Sequence, residues 1–178
     1  MNISNHTVLI TGGGSGIGLA LAQLLIAHGN RVVLAGRSEA RLQQAAAQLP
    51  GATAIACDVT DADAVARLVA RLHAEFPDLS MLINNAGQAF LYDLLPGADA
   101  FTKAQAEMQT NYLATIRLTE ALLPLLMRQP EAAVVNVSSI VAFTPAAALA
   151  TYGASKAALH AYSLALPHAG PARARARV

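Results

Sequence analysis

The chain has 178 residues, which is enough for one domain with a substantial buried core. It is 54% hydrophobic and 13% charged, with a net charge of +1, which excludes a disordered protein and disfavours a nucleic-acid-binding one. One cysteine, Cys57, excludes a disulfide framework, and the five histidines show no metal-ligand spacing. No apolar run reaches the ~18 residues of a membrane helix. We therefore expect a cytoplasmic protein without metal, nucleic acid or membrane.

Five short apolar runs alternate with longer runs rich in alanine and leucine. The predicted strands are Thr7–Thr11, Arg31–Ala35, Thr53–Cys57, Met81–Asn84 and Ala133–Val137. Each is apolar at consecutive rather than alternate positions, as expected for parallel strands covered by helices on both faces.

The intervening runs predict helices. They are Gly16–His28, Glu39–Leu49, Asp61–Phe76, Thr102–Met127 and Thr151–Leu166. Ser38 is predicted to cap the second helix and Gly29 to end the first. Pro124 is expected to kink the fourth helix, because proline has no N–H to donate. Strands that alternate with helices predict right-handed βαβ units in an α/β fold with a parallel sheet.

The strongest local signal is the glycine-rich segment Thr11–Gly18, with the sequence TGGGSGIG. It follows the first predicted strand and opens the first helix, the context that a dinucleotide-binding turn requires. Glycines allow the sharp turn, and the helix N-terminus offers free N–H groups to phosphate. An ordinary glycine-rich turn is the alternative. The segment nevertheless favours a nucleotide-binding protein.

A tyrosine and a lysine occur four residues apart in the last predicted helix. Tyr152 and Lys156 therefore share one helix face. An ammonium one turn from a phenol stabilises the phenolate and so helps the phenol to exchange a proton. Such a tyrosine can act as general acid in carbonyl reduction or as general base in alcohol oxidation. In isolation, the pair would more often be a surface contact.

Further motifs lie between these two signals in a defined order. They are Asn84–Gly87 (NNAG), Asn111 in the long helix, Asn136–Ser139 (NVSS), and Tyr152–Lys156 (YGASK). With the glycine segment, these motifs resemble the short-chain dehydrogenase/reductase family from Thr7 to Leu166. The resemblance implies a Rossmann-like, doubly wound parallel sheet with strand order 3-2-1-4-5. It also implies an oxidoreductase that transfers hydride between nicotinamide and a carbonyl or secondary alcohol, and a homodimer or homotetramer.

The resemblance assigns catalytic roles to four residues. They are Asn111, Ser139, Tyr152 and Lys156. Tyr152 exchanges the proton, Ser139 hydrogen-bonds the substrate oxygen, and Lys156 also holds the nicotinamide ribose. Asn111 helps to hold a water in a proton relay, with a purely structural role in the helix as the alternative. Ser138 is the less favoured neighbour of Ser139.

The expected cofactor contacts come from the glycine segment and from the resemblance. They are Gly12, Ser15, Gly16, Ile17, Gly18, Arg37, Asp58, Val59, Asn85, Ala86, Gly87, Tyr152 and Lys156. An acidic residue after the second strand would select NAD, whereas this chain has Gly36 followed by Arg37. The small residue leaves room for a 2′-phosphate, and the guanidinium pairs well with one. We therefore predict NADP over NAD, with a solvated Arg37 as the alternative.

The chain is shorter than the resemblance implies, since a complete domain of this kind has about 250 residues. We expect a C-terminally truncated member that lacks the usual sixth and seventh strands. Its incomplete domain covers residues 1–166, and residues 167–178 form a frayed Ala/Arg/Pro tail. The fifth strand then becomes an exposed sheet edge. Two other functions stay open: a nucleotide-binding module without turnover, and an interaction protein that uses this edge or the long helices.

Overall fold

The computed structural model describes residues 3–166, and the predicted tail over residues 167–178 lies outside them. Within this range the strands form one parallel sheet of five, in the order β3-β2-β1-β4-β5. The strands are β1 Thr7–Thr11, β2 Arg31–Gly36, β3 Ala52–Ala56, β4 Leu79–Asn84 and β5 Ala133–Asn136. The predicted Rossmann-like sheet and its strand order are confirmed. In the described part of the chain, β3 and β5 are the edge strands.

Six α-helices flank the sheet in the described residues. They are α1 Gly16–Ala27, α2 Glu39–Ala47, α3 Ala62–Glu75, α4 Ala100–Met108, α5 Ala114–Leu126 and α6 Ala150–Ala165. The Ser38 side chain accepts a hydrogen bond from the Arg41 N–H at 3.4 Å, which confirms the predicted cap of α2. Gly29, with φ +78°, follows the end of α1 in the left-handed conformation that glycine favours.

The core has two layers because each strand buries side chains on both of its faces. One layer lies between the sheet and helices α3 and α5, with Leu9, Leu72 and Leu122 as fully buried members. The other lies between the sheet and helices α1 and α2, with Ile10 and Leu34 fully buried. This burial explains why the strands are continuously apolar. Because all five strands are parallel, their carboxyl ends lie at the same edge of the sheet.

The prediction of one continuous helix over Thr102–Met127 is wrong. A π-helical segment, Gln109–Leu113, separates α4 from α5, and α5 continues past Pro124 to Leu126. The interruption therefore falls at Asn111 rather than at the proline. Here the Asn111 side chain is drawn inward by hydrogen bonds described below. A π-helical turn of this kind occurs mostly at functional sites.

The other differences are small shifts and two short turns. β4 begins two residues earlier than predicted, because Leu79 and Ser80 are also buried in the sheet. β3 begins and ends one residue earlier, since Ala52 pairs with Val32 of β2. Two 3₁₀ turns, Ile140–Ala142 and Ala147–Leu149, precede α6 and were not predicted. They bring the chain from β5 back to the start of α6.

Candidate active site

The glycine segment forms a tight loop against the end of β4. Gly12 has φ +66°, and a Cβ atom there would lie 2.9 Å from Asn85 Nδ2. A Cβ atom on Gly18 would lie 2.6 Å from the same nitrogen and would clash with the Gly12 carbonyl oxygen. Gly16 also has a positive φ, of +54°, but faces open space. The loop therefore requires glycine at two positions for packing and leaves its outer side free.

The N-terminus of α1 is open to a ligand. Ser15 is the cap residue, yet within the described residues its side chain forms no capping hydrogen bond. Ile17, in the first turn, is 64% exposed although it is apolar. The first N–H groups of a helix have no partner within the helix, and the positive end of its dipole attracts anions. This helix end is therefore suited to an anionic group.

The end of β4 is tied to the glycine loop by the Thr11 side chain. Thr11 Oγ1 accepts hydrogen bonds from the backbone N–H groups of Asn85 and Ala86, both at 3.0 Å. Asn85 Nδ2 donates to the Thr11 carbonyl oxygen at 2.9 Å. A Cβ atom on Gly87 would lie 3.3 Å from Asn111 Oδ1 and 3.7 Å from Lys156 Nζ. The Asn85–Gly87 segment thus joins the cofactor loop to the predicted catalytic residues.

The segment after β3 lies near the predicted selectivity arginine. Asp58 Oδ1 accepts hydrogen bonds from the Thr60 N–H at 2.9 Å and from Thr60 Oγ1 at 2.7 Å. Burial raises the pKa of Asp58, but the bonds from Thr60 and the positive charge of Arg37 together hold it below its ordinary value. Within residues 3–166, the exposed Arg37 guanidinium forms no hydrogen bond or ion pair. It is free to meet an anionic ligand.

The residue after Asp58 is Val59, which lies in the same segment. Val59 is buried and lines a narrow cleft between the sheet edge and the long helix. The other lining residues are Thr11, Asn84, Ala86, Thr110, Ala114, Thr115 and Leu118. Arg117 Nη1 donates to the Thr60 carbonyl oxygen at 3.0 Å and so attaches this segment to α5.

Tyr152 and Lys156 lie together near the start of α6. Lys156 is only 4% exposed, and its Nζ atom lies 5.9 Å from the centroid of the Tyr152 ring. The ammonium donates to the Val137 carbonyl oxygen at 2.7 Å. Burial lowers the pKa of Lys156 to about 8. The Lys156 ammonium therefore loses its proton at a lower pH than an exposed lysine does.

Asn111 links the π-helical segment to α6. It is fully buried, and its Oδ1 accepts a hydrogen bond from the Gln88 N–H at 2.8 Å. Its Nδ2 donates to the Gln88 carbonyl oxygen at 2.8 Å and to Ser155 Oγ at 2.9 Å. Ser155 Oγ in turn donates to the Tyr152 carbonyl oxygen at 2.7 Å. The side chain that interrupts the helix thus also anchors the turn that carries Tyr152.

The two serines after β5 differ in their surroundings. Ser139 is half-buried, and its Oγ accepts a long hydrogen bond, 3.4 Å, from the Val141 N–H. Ser138 Oγ is buried and has no hydrogen-bond partner among the described residues. No hydrogen bond joins Ser139 to Tyr152 in the described part of the chain. The Ser139 hydroxyl donates no hydrogen bond to another described residue.

All the predicted site residues lie at or beyond the carboxyl ends of the strands, where α/β sheets bind ligands. Three residues that contribute to this arrangement, Thr11, Ser155 and Glu107, were not predicted. Ser155 lies within YGASK, but its partner Asn111 is 44 positions away. Glu107, whose Oε1 atom accepts a hydrogen bond from the Phe90 N–H at 2.8 Å, lies four positions before Asn111, and no local sequence signal pointed to it.

A family model described as short chain dehydrogenase matches residues 6–172. The chain belongs to the short-chain dehydrogenase/reductase family. This membership confirms the resemblance found in the motifs.

Individual members of the family are similar to most of the chain. An uncharacterised oxidoreductase, DltE, of Bacillus subtilis is 45% identical over 168 residues, which are 94% of this chain and 67% of that protein. A fatty acyl-CoA reductase of Acinetobacter baylyi is 36% identical, over 93% of this chain and 57% of that protein.

The crystal structure of L-sorbose reductase from Gluconobacter frateurii, complexed with NADPH and L-sorbose, has a TM-score of 0.87 to this fold. It is 31% identical in sequence, and the match covers 94% of this chain and 65% of that one. The chain thus spans between about half and two thirds of the length of these relatives.

Within residues 3–166, no helix is both long enough and apolar enough to cross a membrane. No group of three or more His, Cys, Asp or Glu side chains in that range is arranged to hold a metal ion.

Proposed function

We propose that this short-chain dehydrogenase/reductase uses NADP(H) and transfers hydride between nicotinamide and a carbonyl or secondary alcohol. The observation that carries the proposal is the arrangement of Tyr152, Lys156 and Asn111 at the open sheet edge. A nucleotide-binding module without turnover has no need of a buried lysine beside a tyrosine, or of an asparagine that interrupts a helix to hold them. The arrangement therefore favours an enzyme over such a module.

The residues present fit the cofactor. The free N-terminus of α1, with Ser15, Gly16 and Ile17, would hold the pyrophosphate beside Gly12 and Gly18. Asp58 and Val59 would flank the adenine, and Asn85–Gly87 would line the adenine ribose. When bound, the nicotinamide supplies or accepts the hydride.

The proton chemistry belongs to the chain itself. In carbonyl reduction, the Tyr152 hydroxyl would donate its proton to the substrate oxygen, and the Ser139 hydroxyl would donate a hydrogen bond to the same oxygen. The Lys156 ammonium, 5.9 Å from the Tyr152 ring, would stabilise the phenolate that results. In alcohol oxidation, the phenolate accepts the proton. Asn111 holds Gln88 and Ser155, and so keeps the Tyr152 turn in place.

The choice of NADP rests on Arg37 and Gly36. The guanidinium is exposed and forms no hydrogen bond or ion pair within residues 3–166, and β2 ends in Gly36 rather than in an acidic residue that would bind a ribose 2′-hydroxyl. A charge-assisted, bidentate bond to the 2′-phosphate would favour NADPH over NADH.

A fluorescence titration of NADPH and NADH tests this proposal, since the chain has no tryptophan to interfere. We expect NADPH to bind more tightly than NADH. We also expect Arg37→Ala to weaken NADPH binding about tenfold to a hundredfold and to leave NADH binding unchanged. Arg128→Ala removes an equal charge from an exposed position after α5 and serves as the control. Equal binding of both nucleotides, unaffected by Arg37→Ala, would contradict the choice of NADP.

The remaining expectations stay predictions: a small carbonyl or alcohol substrate, a homodimer or homotetramer, a cytoplasmic location, and a domain over residues 1–166. Size-exclusion chromatography with mass measurement tests the oligomer. A monomer at micromolar concentration would contradict it.

A further inference from the structure

The segment Gln88–Tyr92, here called the strip, lies beside the catalytic helix but belongs to no helix or strand. Its alternate N–H groups point inward, as in an extended strand. Gln88 N donates to Asn111 Oδ1 at 2.8 Å, and Phe90 N donates to Glu107 Oε1 at 2.8 Å. Tyr92 N donates to the Ala148 carbonyl oxygen at 3.1 Å. Two helix side chains thus take the place that a neighbouring strand would occupy.

Glu107 is an unusual residue for this position. The structure describes all of α4, and only Glu107 in it is fully buried, whereas the apolar Phe101 is 75% exposed. Its Oε2 atom is buried without a hydrogen-bond partner among the described residues. Burying a carboxylate is costly unless its partners compensate, and an apolar side chain would pack at lower cost. Packing alone therefore does not explain a glutamate here.

The far end of the strip reaches the catalytic helix. The Tyr92 hydroxyl and Thr151 Oγ1 form a hydrogen bond of 2.7 Å, and Thr151 directly precedes Tyr152. Lys103 on α4 places its Nζ atom 4.5 Å from the centroid of the Tyr92 ring and donates to the Ala98 carbonyl oxygen. The strip thus connects α4 to the first turn of α6. A displacement of Phe90 would be transmitted to the residue next to Tyr152.

We propose that Glu107 is a positioning residue that holds Phe90, and through the strip keeps Tyr152 in place. Glu107 does at Phe90 what Asn111, one helical turn later, does at Gln88. The catalytic importance of Tyr152 rests on the proposed function. The hydrogen bond by which Glu107 holds Phe90 is independent of that function. A glutamine at position 107 would offer the same acceptor without charge, whereas a leucine would leave the Phe90 N–H unpaired.

The test is amide hydrogen exchange measured by NMR on the whole chain without cofactor, comparing Glu107→Leu with Glu107→Gln. In Glu107→Leu we expect the Phe90 amide to exchange about tenfold faster or more, followed by Gln88 and Tyr92, with sheet amides unchanged. In Glu107→Gln we expect these rates to stay within about threefold of wild type. Gln105→Leu, at an exposed position of the same helix, is the control.

The ring signals of Tyr152, assigned with Tyr152→Phe, report on positioning in the same samples. We expect them to shift in Glu107→Leu and to stay unchanged in Glu107→Gln and Gln105→Leu. If Glu107 contributed only to global stability, Glu107→Leu would speed hydrogen exchange at the strip amides and at the sheet amides by the same factor. That result would overturn the proposal. So would a Tyr152 signal that does not move in Glu107→Leu.

A second pair of variants removes the donor instead of the acceptor, in case Glu107→Leu does not fold. Phe90→Pro lacks the N–H that Glu107 accepts, while Ala89→Pro alters the neighbouring, exposed position. We expect Phe90→Pro, and not Ala89→Pro, to speed exchange at Gln88 and Tyr92 and to shift the Tyr152 signals. Equal effects of the two prolines would overturn the proposal. NADPH titration of the wild type is independent of these results, so failure of the proposed function is seen separately.

Discussion

The candidate cofactor side and the candidate catalytic side of the sheet edge are built by different means. Around the glycine loop, the shape depends on absent side chains, since an added Cβ atom at Gly12 or Gly18 would meet Asn85. Around α6, the shape depends on buried polar side chains, which include Asn111, Ser155 and Lys156. A cradle for a phosphate needs backbone N–H groups and space, whereas a proton-transfer site needs side chains held in place.

The catalytic side extends this polar bonding into the core. Asn84 Nδ2 donates to Asn136 Oδ1 at 2.9 Å and to Thr119 Oγ1 at 3.1 Å. Asn136 Nδ2 donates to Ser163 Oγ at 2.8 Å, and Ser163 Oγ to the Leu159 carbonyl oxygen at 2.8 Å. These bonds connect β4, β5, α5 and α6. Such a network favours one arrangement of these elements, but the loss of one side chain leaves its buried polar partners without hydrogen bonds.

The comparison predicts that turnover and cofactor binding can be separated. Tyr152→Phe removes only the hydroxyl that we propose exchanges the proton, so we expect turnover to fall about 10²- to 10⁴-fold. We expect NADPH affinity to fall by far less, by about threefold at most, because the expected contacts of the phosphate cradle and of Lys156 remain. NADPH oxidation with a panel of carbonyl compounds measures the first, and fluorescence titration the second. Tyr162→Phe, on the same helix, is the control. Undiminished turnover in Tyr152→Phe would contradict the proposed role of Tyr152 in proton exchange.

The glycine loop predicts a steric effect on the cofactor side. Gly18→Ala places a methyl group against the Gly12 carbonyl oxygen, and the backbone has to shift to accept it. We expect a loss of about 3 kcal/mol in unfolding free energy and at least about tenfold weaker NADPH binding. Gly36→Ala meets its nearest protein atom at 3.6 Å and is the matched control for unfolding only, because Gly36 faces the expected 2′-phosphate. Urea unfolding checks both variants and NADPH titration checks Gly18→Ala, where unchanged affinity would refute the close fit.

The buried lysine predicts a pH effect on the catalytic side. Burial lowers the pKa of Lys156 from 10.5 to about 8, so below pH 8 the folded protein carries a buried ammonium that destabilises it. Between these values the folded state has lost its proton while the unfolded state keeps it, so this destabilisation decreases as the pH rises. From about pH 7.5 to about pH 9.5, the unfolding free energy of wild type should rise by about 2 kcal/mol relative to Lys156→Met. Urea unfolding measures it, and a constant difference would show that the ammonium is not buried at a cost.

The polar network predicts the smallest effect. Asn136→Ala removes partners from Asn84 and Ser163, which lie in the interior, so we expect a loss of about 1.5 kcal/mol in unfolding free energy. Gln129→Ala, which removes an exposed amide bond to Pro77, is the control and should change it by less than about 0.5 kcal/mol. If thermal or urea unfolding showed equal losses of unfolding free energy in the two variants, the buried network would contribute no more to stability than an exposed hydrogen bond does.

Much of the fold was predictable because its signals are local. The strands Thr7–Thr11 and Arg31–Ala35 are continuous apolar runs, and β1 matches its prediction completely while β2 extends by one residue. The cap at Ser38 follows from one residue and its neighbours. The π-helical segment at Asn111 was not predictable, because its cause is a pair of hydrogen bonds to Gln88, 23 positions away.

The sequence by itself determined the family, the strand pattern, the glycine cradle and the identity of the candidate catalytic residues, since each depends on residues close together in the chain. Only the tertiary structure decided which polar groups are buried and which partners they meet. Glu107 resembles any surface glutamate until α4 turns it toward Phe90, and Lys156 resembles any helical lysine until Val137 and the sheet cover it. The reason is physical: burial and hydrogen bonding between distant segments arise from packing, and local sequence patterns do not encode them.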